Sequence, residues 1–418
     1  MPASGVPMSR LDQEAPLHAN QIPMLYAELW DSIVDEVAQT PLTSEYTYSA
    51  RKHDLGNCAL VCKGWLYRSR QNLFCSIQLR NPQDIQDLIM ILDQLSLSRR
   101  NVHHLDILHK TPYNPVQLSL KLSVFTALKS LNILYVNFPL PVASSIDYVP
   151  PGPSGLRRLA LYGVLFRTFS TFTSLVEAFP RLTHLIWHNS SAAITPEGDI
   201  WVPPDEEVTR RQLLPRLNTV KLIRGGTDYV SRVPFYQWIS FSPVFASLTS
   251  LTLKSEDELR PRPYRFLAPE AASALLQRRG DTLHKLKLNV YLFDRYWLSN
   301  IFSGLRSCTS LQKFSIPITH WDSSQVLLID QALQHLRSPS LTRLSFSFQW
   351  SSPTDQGERS RGIALGTILD DRLSDDSFSN LKEVTIRMRI CMEIPSDLDI
   401  AQYFPRTYRR GILRLKIE

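Results

Sequence analysis

The chain has 418 residues, of which 43% are hydrophobic, 20% charged and 10% aromatic, and 46 basic against 39 acidic side chains give a net charge of +7. That apolar content excludes a disordered protein and suffices for two or three domains or one long repeat array. No run of about 18 uncharged apolar residues occurs, and the opening MPASGVPMSRLDQEAP lacks an apolar block, so neither a membrane partner nor a secretory leader is expected. The expected location is intracellular, in cytoplasm or nucleus.

Residues 1–20 read as a disordered tail, and residues 21–80 as a small helical domain. Leu25, Leu29, Ile33 and Val37 fall four apart, flanked by Trp30 and Val34, which predicts an amphipathic helix ending before Pro41. A polar loop from Pro41 to Lys52 follows. Asp54 is then placed to cap a second helix carrying Leu55, Cys58, Ala59, Cys62 and Leu66 on one side, with Trp65 beside them. Leu73 and Phe74 lead into a short apolar strand over Cys75–Leu79. A segment of roughly 60 residues has a marginal core at best. Its surplus apolar side chains, Val61 and Trp65 among them, either pack on the rest of the chain or are left for another protein.

From residue 81 to 418 a repeat takes over. The pattern apolar-x-x-apolar-x-apolar begins at Val102, Leu128, Leu156, Leu182, Leu217, Leu248, Leu283, Leu311, Leu341, Leu381 and Ile412, at spacings between 26 and 40 residues. The last two apolar positions sit two apart, as one face of a strand requires. Helical spacing precedes several copies, as in Ile85, Leu88, Ile89 and Leu92, or Leu328, Ala332, Leu333 and Leu336. A helix and a parallel strand every thirty residues or so make the unit of a leucine-rich repeat solenoid. The fold class expected is therefore α/β: a small N-terminal helical domain, then an irregular solenoid with a parallel sheet on its concave face. Pro-, Ser- and charge-rich segments, such as Pro139–Gly155 and those following the Leu182, Leu248 and Leu341 copies, read as loops. No asparagine ladder is expected, because the place for it holds Lys110, Val136, Val164, Ser190 or Tyr291.

The run LYAELWDSI from Leu25 to Ile33, followed by CALVCKGW from Cys58 to Trp65, resembles an F-box, in the style of fungal F-box proteins. That family opens with Leu-Pro-x-Glu-Leu and carries Leu-Val-Cys-[Lys/Arg]-x-Trp in its second helix; here Tyr26 stands where the proline is usual, and the loop between the helices is longer. Arg68, Ser69, Leu73, Phe74 and Ile77 fit as well. The resemblance implies docking on a Skp-family adaptor, and through it on a cullin, by Leu25, Glu28, Leu29, Leu60, Val61, Cys62 and Trp65. It implies a substrate-recognition adaptor of a ubiquitin ligase, not an enzyme.

Outward positions of the repeat strands, the third, fifth and seventh of each copy, hold ten basic residues: Arg158, Lys221, Lys254, Lys285, Lys287, Lys313, Arg343, Arg387, Arg414 and Lys416. The acidic ones are Asp106, Glu383 and Glu418. Such a face fits a protein substrate that is acidic or phosphorylated; alternatively the lysines keep strand surfaces soluble and disfavour edge pairing. Nucleic acid is disfavoured as a partner, since no known module occurs. Neither a catalytic constellation nor a cofactor motif stands out. Cys58, Cys62, Cys75, Cys308 and Cys391 contain no C-x-x-C pair, and the histidines lack partnered carboxylates, so no metal site is expected. The competing function is a ubiquitin-independent scaffold whose N-terminal helices cap the solenoid.

Overall fold

The structure, a computed structural model, describes residues 25–39, 48–80, 84–95, 99–108, 115–138, 151–166, 168–188, 190–192, 216–224, 232–255, 269–289, 301–318, 323–350, 356–390 and 400–417. The expected tail, residues 139–150 of the Pro-rich stretch and the inserted segments 193–215, 256–268 and 351–355 lie outside them. The chain divides into two compact units, Met1–Cys75 and Ser76–Glu418.

Among the described residues the first unit contains three helices packed on one another, α1 (Leu25–Gln39), α2 (Tyr48–Val61) and α3 (Lys63–Cys75). Two expectations are corrected. The second helix starts at Tyr48, so Asp54 lies inside it instead of capping it. The chain also leaves the helix at Cys62, whose carbonyl accepts the Leu66 N–H at 3.1 Å and opens α3. One long stripe therefore becomes two helices that break at Cys62.

The second unit is α/β, built on a large parallel sheet. Its strands are β1 (Ser76–Leu79), β2 (His104–Leu108), β3 (Ser130–Leu134), β4 (Asn137–Phe138), β5 (Arg158–Tyr162), β6 (Leu165–Phe166), β7 (His184–His188) and β8 (Ser191–Ala192). They continue as β9 (Thr219–Arg224), β10 (Ser250–Ser255), β11 (Lys285–Asn289), β12 (Lys313–Ile318), β13 (Arg343–Trp350), β14 (Glu383–Ile390) and β15 (Leu413–Ile417). Helices α4 (Asp84–Gln94), α5 (Pro115–Leu122), α6 (Phe169–Glu177), α7 (Arg232–Phe241), α8 (Pro269–Arg279), α9 (Ser323–His335), α10 (Gln356–Leu373) and α11 (Pro405–Arg409) lie between strands in the chain. Twelve strands form the main sheet in chain order, and β4, β6 and β8 form a second sheet of three. Ser76–Leu79, read as the end of the helical domain, is the first strand of the main sheet.

The motif explains this order residue by residue. Positions one, four and six are buried in copy after copy, as at Leu128, Leu131 and Ile133 or Leu283, Leu286 and Leu288. The carbonyl at position two accepts two N–H groups from the next copy. His103 takes Lys129 and Ser130 at 2.8 and 3.1 Å, and the arrangement recurs at Lys129, Arg157, Thr183, Asn218, Thr249, His284, Gln312 and Thr342. Each copy thus docks its successor in one register. The helical stripes are buried as their spacing requires: Ile85, Leu88, Ile89 and Leu92 in α4, and Leu328, Ala332, Leu333 and Leu336 in α9 or just past it.

The three-stranded sheet follows from sharp turns after β3 and β5. Tyr135 and Gly163 both adopt left-handed backbone conformations, φ 58° and 60°, and their N–H groups bond to Tyr162 and His188 of the following copy. Val136 and Val164 occupy the places an asparagine ladder would use, and both are buried. Beneath this corner lies an aromatic core. The Phe172 ring meets Phe166, Phe169, Trp187, Phe235 and Trp238 at centroid distances of 4.5 to 5.5 Å.

The last copy departs from the pattern. Thr385 pairs with Arg414, and Arg387 with Lys416. Ile412 therefore sits level with position three, and the copy effectively starts two residues before Ile412. The chain reaches β15 through Gly411 at φ 69°, whose N–H bonds to the Tyr408 carbonyl at 2.9 Å.

Candidate functional site

Among the described side chains of α1, Val34 is buried, while Leu29 and Ile33 of the expected amphipathic stripe are 55% and 40% exposed. Leu60 and Val61, at the end of α2, are 84% and 63% exposed. Cys62 is exposed beside them, and Trp65 is half-buried on the first turn of α3. Leu25 and Glu28 lie on α1, with side chains outside the described residues. The apolar positions of the F-box-like pattern that are described are thus largely turned to solvent.

Polar braces hold the helices that carry them. Arg68 grips Asp35 with two guanidinium nitrogens, Nε to Oδ1 at 2.7 Å and Nη2 to Oδ2, while Asn72 Nδ2 donates to Asp35 Oδ1 at 2.9 Å. Arg68 holds the Asp35 carboxyl below its usual range. Lys52 of α2 donates to the Leu73 carbonyl near the end of α3, and burial pulls its pKa down to about 8. Arg51 Nη1 reaches the Ala38 carbonyl of α1 at 3.3 Å. Burial pushes the Cys58 thiol up, away from the reactive thiolate.

In the main sheet, positions three, five and seven point away from the buried side. Arg158, Lys221, Lys285, Lys287, Lys313, Arg343, Arg414 and Lys416 are exposed there, Arg387 is half-buried, and Lys254 lies on β10 with its side chain outside the described residues. Not all of them come together. Arg158 stands between Ser130 and His184 in register. Burial, then Arg158 and Lys221, lowers the pKa of His184. By contrast, Lys285, Lys313 and Arg343 are direct neighbours on three consecutive strands. Arg343 Nε lies 3.4 Å from Glu383 Oε2, and Glu383 Oε1 accepts from Thr385 Oγ1 at 2.9 Å.

Two rows on this face escaped the sequence reading, which weighed only charges. Position five places Ser315, Ser345 and Thr385 side by side on β12, β13 and β14. Position seven aligns Leu108, Leu134, Tyr162, His188 and Ile223 across β2, β3, β5, β7 and β9, all half-buried. Both were readable from the same alternation that revealed the cations.

Among the described residues no group of three or more His, Cys, Asp or Glu side chains is placed to hold a metal ion. No helix among them is long and apolar enough to cross a membrane. No family model matches the chain, and no curated protein matches it.

Proposed function

We propose that the chain is a substrate-recognition adaptor of a Skp–cullin–F-box type ubiquitin ligase. In this reading the helical unit docks on a Skp-family adaptor, and through it on a cullin. The unit from Ser76 onward is a leucine-rich repeat solenoid that holds a protein substrate on its sheet. The protein performs no chemistry itself; it raises the concentration of the substrate near a ubiquitin-loaded enzyme.

The observation that carries the reading is the exposure of Leu29, Leu60 and Val61 on the helical unit, at positions where the F-box-like run places docking residues, with Ile33 of the same run exposed as well. A small domain that leaves four aliphatic side chains in water loses burial energy, and a partner surface recovers it. The main sheet supports the second half: after β1, its strands follow one another in chain order, one per motif copy, as stacked repeats produce.

The test is co-purification of the full chain with a Skp-family adaptor, comparing wild type with Leu60→Asp. Leu60 is 84% exposed, so the substitution leaves the fold intact, as an unchanged melting temperature verifies. The expected result is stable association for wild type and at least about thirtyfold weaker association for the variant, as for loss of an interface anchor worth ~2 kcal/mol. A well-folded wild type that does not associate would remove the ligase reading and leave the scaffold.

A further inference from the structure

The open face of the main sheet is chemically divided. Across β3, β5, β7 and β9 its outward positions include the half-buried Leu134, Tyr162 and Ile223, with Ala160 and Ile186 buried between them and the exposed Arg158 and Lys221 toward the start of β5 and β9, and the Tyr162 and His188 rings touch at a centroid distance of 5.3 Å. Across β11, β12 and β13 they become Lys285, Lys287, Lys313 and Arg343, with Ser315 and Ser345 between. No acidic residue occupies an outward position on any strand from β9 to β13. Among the described residues, neither Lys285 nor Lys313 is paired with an acid.

Protection against edge pairing does not account for this arrangement. Charges that guard against edge pairing belong on edge strands, whereas β11, β12 and β13 are each paired on both sides. Like charges directly opposite on neighbouring strands destabilise a sheet, and Lys285, Lys313 and Arg343 form such a row with only Arg343 reaching a carboxylate. The hydroxyls of Ser315 and Ser345 lie beside the row as small donors that leave room above the strands. A negatively charged occupant removes the repulsion and accepts hydrogen bonds from both sets.

We propose that this face binds an extended peptide segment of a partner protein, with an apolar side chain seated over Tyr162, Ile186 and Ile223 and an anionic side chain over Lys285, Lys313 and Arg343. The anion is a phosphoserine, a phosphothreonine or a pair of carboxylates. From β7 to β12 the sheet advances by four strand spacings, roughly 19 Å at about 4.8 Å each, and the apolar group lies roughly 11 Å further along the strands than the cations, so the diagonal of roughly 22 Å takes an extended peptide about seven residues. The spacing between anchor and acid is therefore a property the sheet selects. This inference does not rest on the ligase reading, since the helical unit takes no part in it.

The experiment is selection of twelve-residue peptides from a random library displayed on phage, using the immobilised full-length chain. Selected sequences are then synthesised as such and with phosphoserine at the acidic position. The expected enrichment is a Leu, Ile, Phe or Tyr about seven residues from an Asp or Glu pair, with binding weakened at least about tenfold in Lys285→Glu plus Lys313→Glu. Both residues are exposed, and an unchanged melting temperature and circular dichroism spectrum show that the variant is folded. Tighter binding of the phosphorylated form identifies a phosphopeptide, and equal binding identifies acidic peptides generally; either supports the proposal. No enrichment, enrichment without an acid, or affinity unaltered by the charge reversal overturns it. So does a single-stranded RNA that binds as tightly and is lost in the same variant.

Discussion

Asp370 ties down the end of the molecule from 36 and 37 residues away. It lies in α10 with its side chain fully buried, and its carboxylate accepts the Arg406 N–H at 2.6 Å, the Thr407 N–H at 2.8 Å and the Thr407 hydroxyl. These are N–H groups in the first turn of α11, whose own cap residue, Phe404, makes no side-chain bond. Substitution of Asp370 by Ala orphans them. Two charge-assisted backbone bonds contribute about 1.5–3 kcal/mol each, offset in part because a buried carboxylate is costly to desolvate, so a net loss of about 2–4 kcal/mol is expected. Asp370→Asn keeps one acceptor oxygen and turns a donor toward the remaining N–H, so about half the loss is expected there. The loss should be local before it is global, because α11 and β15 end the sheet. Hydrogen exchange should accelerate over residues 400–417 and along β14, whose partner on that side is β15. If Asp370→Ala changes the denaturant midpoint by less than the equivalent of about 0.5 kcal/mol and exchange in 400–417 is unaltered, the latch does not exist.

Two further stability predictions concern the second unit. Glu177 ends α6 half-buried, and burial raises its pKa from 4.5 to about 7. The folded state therefore binds this proton more tightly than the unfolded state, so stability falls as pH rises from about 4.5 to 7 and is level above that. Glu177→Gln should be more stable than wild type by about 1–3 kcal/mol at pH 8 and indistinguishable near pH 4, as melting at the two values would show; a pH-independent difference would refute the assignment. Phe172→Ala removes a fully buried ring that meets five other aromatic rings, and should cost about 3–5 kcal/mol. Loss of near-ultraviolet circular dichroism should accompany that cost, and a loss below about 1 kcal/mol would mean that the aromatic core closes around the gap.

The repeat strands were legible because two independent periodicities coincide in them. Leucine at position one fixes the turn, and apolar residues at positions four and six fix the face, so a single sequence specifies both the strand and its orientation. The two-residue strands β4, β6 and β8 left no such mark, because alternation needs more residues than they have; they depend on the left-handed turns at Tyr135 and Gly163. The last copy shows a similar limit. ILRLKI fits the pattern perfectly well, yet register is set by where the preceding turn delivers the chain, and Gly411 delivers Ile412 two positions on. In the helical unit, helical spacing over residues 55–66 read through Cys62 because pattern matching detects which faces are apolar. It does not detect where a chain must change direction to let α3 pack on both α1 and α2.

The two surfaces offered as functional share one physical property, and this gives them more weight than resemblance or charge counting alone. Over much of the molecule local and global preferences agree, with exceptions such as the half-buried Glu177 and the exposed Leu120 and Leu327: the inward stripes of the helices are buried, strand faces alternate, and Asp35 and Asp370 sit among donors. Agreement between levels is what a sequence selected only for folding shows throughout. It breaks at Leu29, Ile33, Leu60 and Val61, where a helical unit exposes its own aliphatic residues. It breaks again at Lys285, Lys313 and Arg343, where cations stand in register at the interior of a sheet. Neither arrangement helps the isolated chain fold, and each has a complement of one kind, an apolar surface for the first and an anion for the second. A bound partner at each place would turn both exceptions into ordinary buried contacts, so the two binding experiments test a single physical premise at two independent sites.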